Sequence, residues 1–396
     1  AGSDLFVDGG GASADIYIGG TGADAISYAN ASAAVTLSLS GGTSGDAAGD
    51  VYTSIENVVG SSFDDSIEGD AGDNTLYGLA GNDVLSGGDG DDLLVARGGN
   101  TTMKGQDGND TYRFLPGWGT ATMPTDGAGR NVMDFTAQVQ GVTVDDYAHS
   151  ATQGGNTVTW TAGTTVDQVW GGQGDDRLDF SGNEANLLIT VTGMGSNALD
   201  VNGYSQTLMG RDTGWTEGNK TNAGWVTSSA SGMQQSGLAS GSEQQGVNDN
   251  EGFGFKFVGI ENIIGGQGSD AFRIRDGASV TGSLHGDTAV GLHHDSATGN
   301  ENANARNTID FSEYTTGVRV DQENYSAFGV ANASRIVVRG MHNMFGGQAS
   351  DYLAGDGRNN LIVGNDGADT LEGRSAHDLL VADNFLTWTN LNSRPS

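Results

Sequence analysis

From Gly60 to Arg113 an apolar residue recurs every nine positions, at Ile67, Leu76, Leu85, Leu94, Met103 and Tyr112, with glycine and Asp or Asn dominating the segments between. A period of nine fits neither the 3.6-residue helix nor a long alternating strand. It predicts short strands, each turning one large side chain inward, joined by glycine-rich turns. The segment can be cut without a gap into units that begin at Gly60, Gly69, Gly78, Gly87, Ala96 and Gly105. Their sixth positions hold Asp65, Asn74, Asp83, Asp92, Thr101 and Asp110, and the apolar residues above fill the eighth. The unit at Gly87 reads GGDGDDLLV.

The same frame returns elsewhere. Gly10 and Gly19 open units with Asp15 and Asp24 at position six, and single units at Gly171 and Gly265 carry Asp176 with Leu178 and Asp270 with Phe272. Units at Gly346, Gly355, Gly364 and Gly373 place Asp351, Asn360, Asp369 and Asp378 at position six, with Leu353, Ile362, Leu371 and Leu380 at position eight.

A longer repeat surrounds the short one. A lead-in turn stands at constant distance before four of these blocks: Ile55-Glu56-Asn57-Val58, Val166-Asp167-Gln168-Val169, Ile260-Glu261-Asn262-Ile263 and the degenerate Met341-His342-Asn343-Met344. Further upstream an aromatic precedes an alternating strand: Tyr28 before Val35, Leu37 and Leu39; Phe135 before Val142 and Val144; Phe180 before Leu187, Ile189 and Val191; Phe311 before Val318 and Val320. Asp134-Phe135, Asp179-Phe180 and Asp310-Phe311 share a dipeptide. Four copies of one module follow, each a strand segment feeding a glycine–Asp roll. The boundaries are nonapeptide turns at 1–27, a strand segment and lead-in at 28–59, a roll at 60–113, a second strand module and lead-in at 114–170, and a turn with its strand at 171–191. A Gly/Ser/Asn-rich insertion at 192–254 follows, then a lead-in and turn at 255–281. A loop insertion, strand and lead-in occupy 282–345, a second roll 346–385, and a tail 386–396.

Composition sharpens this picture. Glycine reaches 67 residues, proline only 3, and cysteine is absent. Collagen is excluded for want of proline and a three-residue period, and thiolate metal sites and disulfides are excluded outright. Acidic residues outnumber basic ones 50 to 17, for a formal net charge of -33. Such a surface repels nucleic acid and anionic lipid and attracts cations. No apolar run approaches a membrane span, so membrane insertion is not expected. The charge is either a solvated, salt-adapted face or a set of metal ligands, and the regular spacing of the Asp residues favours ligands. The alternative for each turn is a plain β-turn whose Asp bonds backbone amides.

These units resemble the GGxGxDxUx nonapeptide of RTX proteins, a calcium-binding β-helix repeat. The resemblance implies an all-β fold: a parallel β-roll or β-helix solenoid, with calcium-binding turns and irregular loop insertions. It implies several calcium ions as cofactors, held between turns two repeats apart, so that Asp65 shares a site with Asp83, Asn74 with Asp92, and Asp351 with Asp369. The ligand set is Asp15, Asp24, Asp65, Asn74, Asp83, Asp92, Asp110, Asp176, Asp270, Asp351, Asn360, Asp369 and Asp378. Calcium takes six to eight oxygens at flexible distance, which carboxylates and backbone carbonyls supply together. Neutral Asn74 makes a weaker site, and Thr101 a defective one. The resemblance also implies an extracellular or cell-surface location, reached by one-step export of an unfolded chain. No leader is evident at Ala1 and no export signal in the closing LTWTNLNSRPS, which suits a mature or excised segment.

The metal has a physical task. One large buried side chain per turn contributes roughly 1.5–3 kcal/mol, whereas ordering nine residues costs on the order of 9–18 kcal/mol. Crowded aspartates repel one another besides. Calcium cancels the repulsion, so that binding energy becomes folding energy.

Catalytic signatures are missing: no HExxH, no GxSxG and no phosphate-binding GxxxxGK frame occurs, and the chain is read as non-enzymatic. The expected function is a calcium-binding structural module of a secreted or surface protein of adhesin, surface-layer or matrix type, with copies of itself as a further partner. The alternatives are a carbohydrate-binding module, with Trp215 and Trp225 in the insertion as glycan contacts, and a polysaccharide lyase or epimerase. His285, His293 and His294 lie in the other insertion, where loop packing competes with transition-metal binding.

Overall fold

Successive nonapeptides alternate between two walls. In the computed structural model, which describes residues 2–191, 224–228, 255–286 and 306–382 apart from short stretches within them, the strands Ser66–Glu68, Val84–Asp89 and Asn100–Asp107 lie in one sheet. Thr75–Leu79, Leu93–Ala96 and Thr111–Phe114 lie in the other. Pairing within each wall is parallel, with Ile67 beside Leu85 beside Met103 and Leu76 beside Leu94 beside Tyr112. Partners are two units apart, so two units make one coil. Side chains alternate along each strand, which points the eighth-position residue to the interior, and all six are buried. The chain is a parallel β-roll, with walls of 16 and 13 strands among the described residues and one core running between them.

The longer module closes on the same plan. Leu37 pairs in parallel with Ile67, Val144 with Leu178, and Val320 with Leu353, so each alternating strand forms the rung before the first nonapeptide strand of its block. Tyr28, Phe135 and Phe311 are buried, and each carbonyl accepts the amide three residues on, from Ala31, Gln138 and Tyr314. The shared Asp-Phe dipeptide explains itself here. Oδ1 of Asp134 and of Asp310 accepts the amide of Thr136 and of Ser312, each at 2.9 Å, which bends the chain as the aromatic enters the core. Arg113 and Arg273, one rung earlier, pair with those carboxylates at 2.7 and 3.2 Å.

Insertions interrupt the parallel order with antiparallel pairs. Ser150–Gln153 and Asn156–Trp160 form a hairpin within the 13-stranded wall. Leu187–Val191 and Phe255–Val258 flank Gly224–Ser228, a strand inside an insertion whose sequence shows little strand pattern. Two sheet neighbours recruit it where periodicity alone does not. Trp215, His293 and His294, and the side chain of Trp225, lie outside the described residues. Among the described residues no helix is long and apolar enough to cross a membrane.

Candidate metal centre

Position six stacks from coil to coil as a ladder. Oδ1 of Asp83 accepts the amide of Asp65 at 3.0 Å, Asp92 that of Asn74 at 2.8 Å, and Asp110 that of Asp92 at 3.0 Å. In the second roll Asp369 takes the amide of Asp351 and Asp378 that of Asn360, both at 2.9 Å. The pairs expected to share a cation therefore occupy neighbouring coils, and one carboxylate oxygen of each later residue is spent on the amide of the earlier.

The second side-chain atom divides the residues into two groups. In the first coil of the blocks at Gly60, Gly171 and Gly346 it closes its own turn. The position-two amide donates to Asp65 Oδ2 from Ser61 at 2.5 Å, to Asp176 Oδ2 from Gly172 at 2.7 Å, and to Asp351 Oδ2 from Gly347 at 2.6 Å. Asn74 and Asn360 do the same with their single oxygen, from Asp70 at 2.7 Å and Asp356 at 3.0 Å. In later coils Oδ2 of Asp83, Asp92, Asp110 and Asp369 has no hydrogen-bond partner and no contact with solvent, and Asp24 Oδ2 is in the same condition. A buried, unpaired carboxylate oxygen is costly unless a cation or a proton meets it.

Electrostatics say the same. Burial, above all, pushes the Asp92 carboxyl up to about 8, Asp110 to about 7, and Asp83 and Asp176 to about 6. Burial likewise raises Asp351. Amide donors pull the other way but do not prevail. Carboxylates on adjacent coils add to the rise, Asp65 beside Asp83 and Asp110 beside Asp92.

The position-one glycines mark the cradle. A Cβ on Gly87 would stand 2.0 Å from Asp92 Oδ2 and 2.8 Å from the carbonyl oxygen of Gly105; on Gly346 it would stand 2.2 Å from Asp351 Oδ2 and 2.5 Å from the Gly364 carbonyl. Each of these two units thus brings a carboxylate and a next-coil carbonyl to one spot that a side chain would fill. In the two rolls the glycine at position one serves space and not positive φ, which belongs to positions two and four. Position two even tolerates Leu79, Gln106, Asn365 and Arg374 at φ 70, 77, 66 and 70°. Among the described residues no three His, Cys, Asp or Glu side chains converge. A cation here depends on carbonyls, the ligand set of a hard ion such as calcium and not of a transition metal. Asp83, Asp92, Asp110 and Asp369 would hold it, with position-one carbonyls. Asp270 resembles them, its Oδ2 standing 2.4 Å from a Cβ on Gly265. Asp15 is exposed on the terminal coil and Asp378 half-buried. Thr101 is buried with no partner for Oγ1, in a turn without a carboxylate.

Several ladder members escape the nine-residue frame. Asp126–Asp134 is an eighth turn of the first roll, after the rung Thr120–Met123 and displaced by three inserted residues. Oδ1 of Asn131 accepts the Asp110 amide at 2.8 Å, and Met133 stands beside Tyr112 in the wall. Asn307 does likewise for Asp270 at 2.9 Å and Asp50 for Asp15 at 2.8 Å. In the lead-in turns Glu56 Oε2 accepts the Asp24 amide at 2.7 Å and His342 Nδ1 the Asn307 amide at 3.3 Å, so the fourth lead-in keeps its role despite its changed residue. A second, outer ladder runs through position five, from Asp64 to Asn82 to Asn100 and from Asp73 to Asp91 to Asn109, with amide contacts of 2.7–3.1 Å. The doubled Asp/Asn at positions five and six is its sequence signal.

Asp92→Asn is expected to act in opposite directions with and without calcium. Asn keeps the contact to the Asn74 amide and carries no charge, so the chelated chain gains β structure at pH 8. The half-saturating calcium concentration for folding rises roughly tenfold or more. Paired circular-dichroism titrations check both signs; a shift in the same direction under both conditions contradicts the assignment.

A family model of the RTX calcium-binding nonapeptide repeat matches the chain in 4 copies, over residues 59–94, 161–183 and 345–380. Those segments, about a quarter of the chain, contain Asp65, Asp83, Asp92, Asp176, Asp351 and Asp369. A search of curated proteins returned no match.

Proposed function

Because the chain carries RTX calcium-binding repeats in a parallel β-roll, we propose that it is a non-enzymatic structural module of a secreted or cell-surface protein, of adhesin, surface-layer or matrix type, which folds as calcium binds outside the cell. The observation that carries this reading is the row of buried carboxylate oxygens without partners at Asp83, Asp92, Asp110 and Asp369. Side chains of that kind are tolerable only where the cation is plentiful when the chain folds. Calcium supplies the positive charge, and the residues supply a register in which each coil orders the next. Assembly with further copies extends the same reading. The strand Leu5–Val7 ends the 16-stranded wall and exposes Leu5 and Val7, an edge that pairs readily with another strand.

Affinity tests the location. Calorimetric titration of the chelated chain is expected to give half-saturation at roughly 10⁻⁴–10⁻³ M calcium, the range of extracellular modules. Half-saturation below about 10⁻⁷ M, the range of cytosolic buffers, would remove the extracellular reading. Light scattering on the saturated sample is expected to rise with protein concentration if copies associate.

A further inference from the structure

The turn Asp126–Asp134 departs from every other turn at one place. Its first position, a cradle glycine in most turns, is Asp126, and its sixth is neutral Asn131. Asp126 Oδ1 accepts the amide of Gln106 at 2.5 Å, and Oδ2 accepts the hydroxyl of Tyr112 and, at 3.3 Å, the amide group of Asn131. Gln106 is position two of the preceding unit on that wall, and in a closed turn its amide would go to Asp110. Asp126 takes that amide instead, and Asp110 Oδ2 is left without a partner on a residue that is 0% exposed. That oxygen points at Gly105, standing 1.8 Å from where a Cβ there would lie, and the Gly105 amide is bound by the same Tyr112 hydroxyl that reaches Asp126. Asp110 and Asp126 therefore face one small space, with Tyr112 at its wall, and no ion pair to Lys or Arg involves either carboxylate among the described residues. Asp126 is half-exposed, which leaves the space open to solvent on one side.

We propose that Asp126 and Asp110 together hold one calcium ion at the end of the first roll, a site whose second carboxylate comes from position one and not from position six. An Asp–Asp pair across two coils brings two negative charges to a cation. Asp110 with Asn131 brings one, and Asp126 restores the second from the other side of the turn. Its three donors fix the carboxylate and leave one lone pair, on Oδ1, for a metal. The site rests on the calcium reading of the repeats. It lies outside the segments matched by the family model, and the three-residue insertion hides it from the nine-residue frame.

Counting ions bound by the full chain, by equilibrium dialysis at saturating calcium, tests this. Asp126→Asn and Asp126→Gly, the latter restoring the glycine of other turns, are each expected to bind one ion fewer than the unsubstituted chain. Asp92→Asn, in the middle of the roll, is the control and is also expected to lose one. If the control loses an ion and a folded Asp126 variant keeps the full count, this site is overturned and the calcium reading stands. Full counts in all three overturn both. Should both Asp126 variants fail to fold, terbium in place of calcium decides. Tyr112→Phe is expected to lose part of the tyrosine-sensitised emission, and unchanged emission overturns the proposal.

Discussion

Acidification is expected to refold what chelation unfolds. In excess chelator at pH 8 the roll should lose most of its β signal in far-ultraviolet circular dichroism, and lowering the pH to 5 should restore much of it. The carboxyls of Asp83, Asp92, Asp110 and Asp176 titrate in the folded metal-free chain at about 6, 8, 7 and 6, against a value of 3.8 unperturbed. Burial raises them, so the folded chain binds more protons than the unfolded one. The stability they support is then fully present below about pH 4 and lost as pH rises through 6 to 8. For Asp92 alone the shift corresponds to roughly 6 kcal/mol. Salt-bridged surface carboxylates behave oppositely, losing stability as pH falls. A metal-free chain whose β signal falls steadily between pH 8 and pH 5 would show that the buried carboxylates do not carry the roll. With calcium present the dependence should flatten, since the cation then does what the proton did.

Gly108→Ala should cost about 3–5 kcal/mol, close to the whole stability of many domains. Gly108 is position four of its unit, at φ +140°, and a Cβ there would lie 1.8 Å from the carbonyl oxygen of Gly90 in the preceding coil. Backbone cannot yield as a side chain can, so the two coils must separate there. Gly72 provides the contrast. It holds position four in a first-coil turn, has no positive φ, and a Cβ on it would meet only Asp70 Oδ1 at 3.4 Å. Gly72→Ala is therefore expected to stay within about 0.5 kcal/mol of neutral. Chemical denaturation of the calcium-loaded chains separates the two, and equal costs would mean that the coil spacing does not decide.

Much of this architecture is written in single residues. Ile67, Leu76 and Leu85 announce the coil because each strand turns its eighth-position side chain into the common core. Gly87 announces the cradle because nothing larger fits beside Asp92. The alternating strands after Tyr28 and Phe135 are legible for the ordinary reason that one face is buried. What the spacing hides is also particular. Three extra residues before Asp126 break the frame, although hydrogen bonds carry the ladder across the break without interruption. Position six alone does not tell whether an Asp closes its own turn or keeps an oxygen for a cation: Asp65 Oδ2 takes the Ser61 amide, whereas Asp83 Oδ2, at the same position two units on, has no hydrogen-bond partner. The contribution of His342 is invisible because a carboxylate oxygen of Glu56 and a ring nitrogen of His342 both accept an amide and the side chains have little else in common. Gly224–Ser228 shows the remaining limit, a strand made by its neighbours.

The central claim is that calcium binding and folding of the roll are one event. A calcium titration of the chelated chain at pH 8, with far-ultraviolet circular dichroism and bound calcium followed on the same sample, tests it most directly. The account predicts a weakly structured start and a cooperative rise of β signal that coincides with uptake of several ions. A full β spectrum before any calcium is added, unchanged as the ions bind or fail to bind, would contradict it.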